Sequence, residues 1–92
     1  MKKYRASFGN LFDGVQGTPQ KMIDGMVSKS GAKVKTYFKR CTWEEDYNCF
    51  ELVFDAEGPY LDIIKFAKHF YGWDSKMTNY EVEVELGDLR EV

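Results

Sequence analysis

The chain has little histidine, cysteine or proline: one, two and two residues respectively among 92. With His69 the only histidine, a histidine-rich metal centre or a histidine pair is excluded. Cys41 and Cys49 alone fall short of a tetrahedral zinc set. No Ser, His and Asp are spaced as a nucleophilic triad would need, so no cofactor and no metal are expected. Long apolar runs are also missing. Nothing approaches the roughly 20 residues that span a bilayer, and Met1-Lys2-Lys3 leads into strand-like alternation, so no membrane partner is expected and the chain reads as cytoplasmic. Charge of one sign is lacking too: 13 Lys plus Arg against 15 Asp plus Glu give a net of -2. That leaves no overall basic field to hold nucleic acid directly. What is present is apolar and aromatic, 43% and 16% of residues, which argues for a folded chain. Its length suits one core, hence a single domain over residues 1–92.

From Lys2 to Phe8, Tyr4, Ala6 and Phe8 alternate with Lys3, Arg5 and Ser7, the pattern of a strand with one wet face. A glycine-rich stretch, 9–17, follows. Thr18 then reads as an N-cap with Pro19 in the first turn, and Met22, Ile23, Met26 and Val27 recur at helical spacing until Gly31. Val34, Thr36 and Phe38 mark a second strand over 32–43, and Phe50, Leu52 and Phe54 a third over 48–55, joined by Glu44-Glu45-Asp46. Gly58-Pro59 opens a second helix with a stripe of Tyr60, Ile63, Ile64, Ala67, Phe70 and Tyr71. Tyr80, Val82, Val84 and Leu86 alternate with Glu81, Glu83 and Glu85, which predicts a fourth strand. The order β-α-β-β-α-β gives an α+β fold that resembles the ferredoxin-like split βαβ sandwich. That implies a four-stranded antiparallel sheet of order 4-1-3-2 with two helices on one face.

Charges support one register. Setting Lys39 opposite Glu51, Lys35 opposite Asp55 and Lys33 opposite Glu57 also sets Phe38 against Leu52 and brings Cys41 opposite Cys49. The expected fourth strand would lay Glu81, Glu83 and Glu85 beside Lys3 and Arg5. Each pair contributes only about 0.2–1 kcal/mol, so such a ladder mainly selects register. It also leaves the open sheet face occupied with itself, and recognition is expected at the rim. The cysteines are expected reduced, with a cross-strand disulfide as the alternative.

Two local motifs carry resemblances. Gly14-Val15-Gln16-Gly17, followed by Lys21, resembles the phosphate loop of acylphosphatases, which implies anion binding at the start of the first helix and acyl phosphate hydrolysis. Lys21 stands where that family has arginine, and no counterpart of its water-orienting asparagine is found. Ser7-Phe8-Gly9-Asn10-Leu11 is similar to the first-strand motif of RNA-recognition domains. Those domains stack bases on exposed aromatics, whereas Phe50 and Phe54 share the buried parity of Leu52.

Surface features remain. Glu44, Glu45 and Asp46 lie at the hairpin tip, flanked by Trp43 and Tyr47. Glu81, Glu83 and Glu85 would repeat every roughly 6.6–6.8 Å along a strand, of the order of phosphate spacing. Leu11, Phe12 and Val15 sit among glycines, and an aromatic such as Phe12 is the kind of anchor that dominates interfaces. In general character the chain resembles small phage-encoded inhibitors of host defence, of anti-CRISPR or antirestriction type. That resemblance implies a non-catalytic protein whose partner is a protein, such as a nucleic-acid-binding complex, blocked by an acidic surface with aromatic anchors.

Overall fold

In the computed structural model, which describes residues 2–92, the alternation of the first strand continues beyond Phe8. Strand β1 spans Tyr4–Phe12, with Leu11 opposite Glu51 and Phe12 opposite Phe50 of the third strand. Leu11 and Phe12 are therefore strand residues and not loop residues, because their alternation carries on the parity of Ala6 and Phe8. Helix α1, Pro19–Ser30, starts at Thr18 and stops at Gly31, which adopts the left-handed conformation (φ 71°) that glycine tolerates without strain. Strands β2 (Lys35–Glu44) and β3 (Cys49–Gly58) form a hairpin, and α2 (Tyr60–Tyr71) buries Ile63, Ile64, Phe66, Ala67 and Phe70.

The stretch expected as the fourth strand is a helix, α3, Asn79–Leu86. Its start explains why. Thr78 Oγ1 accepts from the Glu81 N–H (3.2 Å), and Glu81 Oε1 accepts from the Thr78 N–H (2.9 Å). This reciprocal capping satisfies two otherwise orphaned donors and nucleates the first turn. Val82 is fully buried, while Tyr80 and Val84 are exposed; a strand would have turned all three to one face. The comb of Glu81, Glu83 and Glu85 at strand spacing therefore does not exist. Strand β4 is the short segment Arg90–Glu91, paired with Tyr4 and Arg5. The fold is α+β, with three helices and a four-stranded antiparallel sheet ordered β2-β3-β1-β4. It departs from expectation in the segment that fills the fourth place and in the helix count. Among the described residues no helix is long and apolar enough to cross a membrane.

The β2–β3 register also differs. Lys35 faces Glu57, Tyr37 faces Asp55 and Phe38 faces Phe54; a bulge at Lys39 follows, after which Arg40 faces Val53, Cys41 faces Leu52 and Glu44 faces Cys49. The bulge reverses the parity of the strand. Thr36 and Phe38 before it, and Cys41 and Trp43 after it, lie on the helix-covered face. Cys41 and Cys49 are consequently on opposite faces, and both are free thiols. Under the helices Phe8, Phe54, Phe66 and Phe70 form the centre of the core, with edge-to-face contacts at ring separations of 5.1–6.0 Å.

Candidate functional site

On the uncovered sheet face one carboxylate ties all four strands together. Asp55 of β3 is 2% exposed, and its Oδ2 lies 2.9 Å from Arg5 Nε of β1 and 3.7 Å from an Arg90 Nη of β4. Lys39 Nζ of β2 stands 3.2 Å from Oδ1, which makes no hydrogen bond of regular geometry. Lys39 lies two residues beyond Tyr37, which stands directly opposite Asp55, and its ammonium reaches the carboxylate diagonally across the open face. Arg5 also stacks on the Tyr37 ring at 4.1 Å and reaches Glu57 at 3.8 Å. Burial on its own would raise the Asp55 pKa. Lys39 and Arg5 outweigh it and hold the group below the ordinary carboxylate value. An ionised acceptor so encircled by cations is a structural clasp. The charge-matched register sets Lys39 against Glu51 and Lys35 against Asp55; the structure instead gathers Arg5, Lys39 and Arg90 around Asp55.

The far end of the same face is different. Glu44 closes β2, and the turn through Asn48 (φ 52°) holds Glu45, Asp46 and Tyr47 out in solvent, with Tyr47 69% exposed. Because β1 runs on to Phe12, Leu11 reaches this end and is 41% exposed. Gly9, Asn10, Leu11, Glu44, Tyr47 and Glu51 line one open cleft of about 460 Å³. Glu51 is paired with Arg40 at 3.2 Å. Among the described residues Glu44, Glu45 and Asp46 form no ion pair, so their charge is available to a partner. The sequence pointed to Glu44 and Tyr47; Leu11, Asn10 and Glu51 join them only through the longer β1 and the actual register.

The remaining expected residues lie elsewhere. Phe12 is half-buried on the helix side against Phe70, and Trp43 packs edge-on against Phe50 on that same side, at a ring distance of 5.0 Å. Neither belongs to the cleft. Glu81 is engaged in the α3 cap, and Glu83 accepts from the Tyr60 hydroxyl at 2.5 Å. Burial, reinforced by Glu83, pushes the Tyr60 pKa up to about 12. Thr78 holds Glu81 below the usual glutamate range through its backbone N–H and its hydroxyl. Glu85 is exposed on α3. Gly14, Val15, Gln16 and Gly17 form the loop before α1, with Gly17 at φ 75° and Lys21 exposed. The Lys21 N–H donates to Thr18 Oγ1 at 3.2 Å, so that first-turn amide already has its acceptor. No protein family, curated protein or solved structure matches the chain.

Proposed function

We propose that this chain is a non-catalytic protein-interaction module on a ferredoxin-like plan with a curtailed last strand, and that it works in the cytoplasm. It captures a basic, nucleic-acid-binding surface of a partner protein, in the manner of a phage inhibitor of host defence. The carrying observation is the cleft at the hairpin end, where Tyr47 and Leu11 are exposed beside the unpaired carboxylates of Glu44, Glu45 and Asp46. Exposed aromatic and aliphatic anchors supply apolar burial, and carboxylates free of internal partners supply charge where a phosphate chain would otherwise sit. With a net charge of only -2, the module acts by local occlusion and not as a wholesale mimic of nucleic acid.

The test is affinity capture from a host lysate with three immobilised forms: the native chain, the triple charge reversal E44K/E45K/D46K, and K21A. The interaction reading expects a protein held by the native chain and by K21A but lost from the reversed tip. Retention by the reversed tip excludes it, and acyl phosphate hydrolysis that disappears in K21A would install the phosphatase-like reading instead.

A further inference from the structure

The two edges of the sheet are treated differently. Along β1 the outer edge is closed: Tyr4 and Arg5 pair with β4, the Ser7 N–H donates to the Asp88 carboxylate (3.0 Å), and the Gly9 N–H donates to the Tyr71 hydroxyl (3.2 Å). Along β2, among the described residues, no backbone hydrogen bond is made beyond the ladder to β3. A ten-residue edge strand of this kind, which contains no proline, is a template for another strand.

The direction of its free groups follows from alternation. Ser7 and Gly9 of β1 point outward, so Ala6 and Phe8 bond to Ala56 and Phe54 of β3, and Asp55 and Glu57 must then bond to β2. Tyr37 and Lys35 therefore point inward, as do Arg40, Thr42 and Glu44 beyond the bulge. The outward-pointing backbone belongs to Thr36, Phe38, Cys41 and Trp43.

We propose that β2 pairs antiparallel with β2 of a second copy of this chain, about a two-fold axis between Lys39 and Arg40. In this register Phe38 faces Cys41 of the second copy, Thr36 faces its Trp43, Tyr37 faces its Thr42 and Lys35 faces its Glu44. Every such pair joins residues of the same face and the same hydrogen-bond phase, a match that a one-residue slip destroys. A strand carrying an extra residue at its middle pairs continuously only with one bulged at the same place, which a two-fold copy supplies. Charge agrees: the strand begins with Lys35 and ends with Glu44, so antiparallel self-pairing sets opposite charges together and, in the dimer, leaves Glu45 and Asp46 as the tip carboxylates free for a partner. At the axis Lys39 and Arg40 are already neutralised within each chain, by Asp55 and Glu51 at 3.2 Å.

The apolar side fits as well. Phe38 and Trp43 are 45% and 48% exposed on the helix-covered face. Thr36 lies beside Gln20, whose Nε2 donates to Thr36 Oγ1 at 3.2 Å. The indole of the second copy's Trp43, placed opposite Thr36, thus meets an apolar groove of about 250 Å³ lined by Thr18, Pro19, Gln20 and Phe38.

Sedimentation equilibrium of the pure protein over a concentration series tests this, with circular dichroism confirming that each variant is folded. The expected mass rises towards twice the 10.7 kDa of one chain. W43A should weaken association by about tenfold or more. K35E and E44K should each weaken it, and the double variant K35E/E44K should restore it, which no unrelated dimer would reproduce. A monomer at every concentration up to roughly 0.5 mM, a scale on which association so weak is negligible, overturns the proposal. So does a dimer indifferent to both single reversals, or one that the double reversal fails to restore.

Discussion

Replacing Asp55 by asparagine keeps the shape of the side chain and removes the charge to which Arg5, Lys39 and Arg90 are drawn. Hydrogen bonds to a charged group contribute about 1.5–3 kcal/mol each, and the burial of a carboxylate takes back several kcal/mol. The freed Lys39 and Arg90, each 48% exposed in the side chain, recover water, whereas Arg5 at 27% recovers less. The balance is a loss of about 2 kcal/mol at neutral pH, or a Tm lower by roughly 8–16 °C for a domain of this size. Arg5→Met should cost more, about 3 kcal/mol, because it leaves a buried anion with only half-exposed partners. The sign of the pH dependence is fixed. Since the folded pKa of Asp55 lies below its ordinary value of 3.8, its contribution is present above that value and fades as pH falls through the lowered one. Urea unfolding of native protein and D55N should therefore give stability curves that differ at pH 7 and converge in acid. Equal stability at pH 7 within about 0.5 kcal/mol, or parallel acid limbs, would refute the clasp.

Other perturbations probe other joints. Thr78→Ala removes the α3 cap and should cost about 1 kcal/mol, with Thr78→Ser close to native, measured by chemical denaturation. The Tyr60 hydroxyl stays protonated in the fold up to about 12, while the unfolded chain ionises near 10. Native stability should therefore decline as pH rises from 10 to 12, and Tyr60→Phe should flatten that decline; an unchanged decline would remove Tyr60 from the account. A Cβ on Gly58 would sit 2.8 Å from the Lys33 carbonyl oxygen, which is backbone and cannot swing aside. Gly58→Ala should accordingly destabilise by about 1–3 kcal/mol.

Where a segment had one period and clear ends, its structure was legible in the sequence. The first helix shows this: Thr18-Pro19 and Gly31 bracket it, and the observed caps are those residues. Segment 79–86 shows the limit, because Val82 is its only fully buried residue and Leu86, one turn on, packs only partly against the core, so an alternating pattern over eight residues suits a strand as well as a helix with a narrow inward edge. The deciding signal was present four residues earlier than Val82, in Thr78 and its spacing to Glu81. The register of the hairpin was not recoverable from charge matching, since the bulge at Lys39 shifts every later pairing by one residue and no charge pattern marks it. The tip carboxylates and Tyr47 could be singled out from sequence because a polar turn must be exposed. Leu11 could not be placed beside them until β1 was known to run to Phe12.

The proposed recognition at the hairpin end of the open face can be read by photo-crosslinking from single positions. With a photoreactive residue in place of Tyr47 or Leu11, irradiation in host lysate should yield a covalent adduct to one partner protein, and the same residue at Lys21 or Glu85 should not. An adduct formed from Lys21 or Glu85, with none from Tyr47 or Leu11, would contradict it.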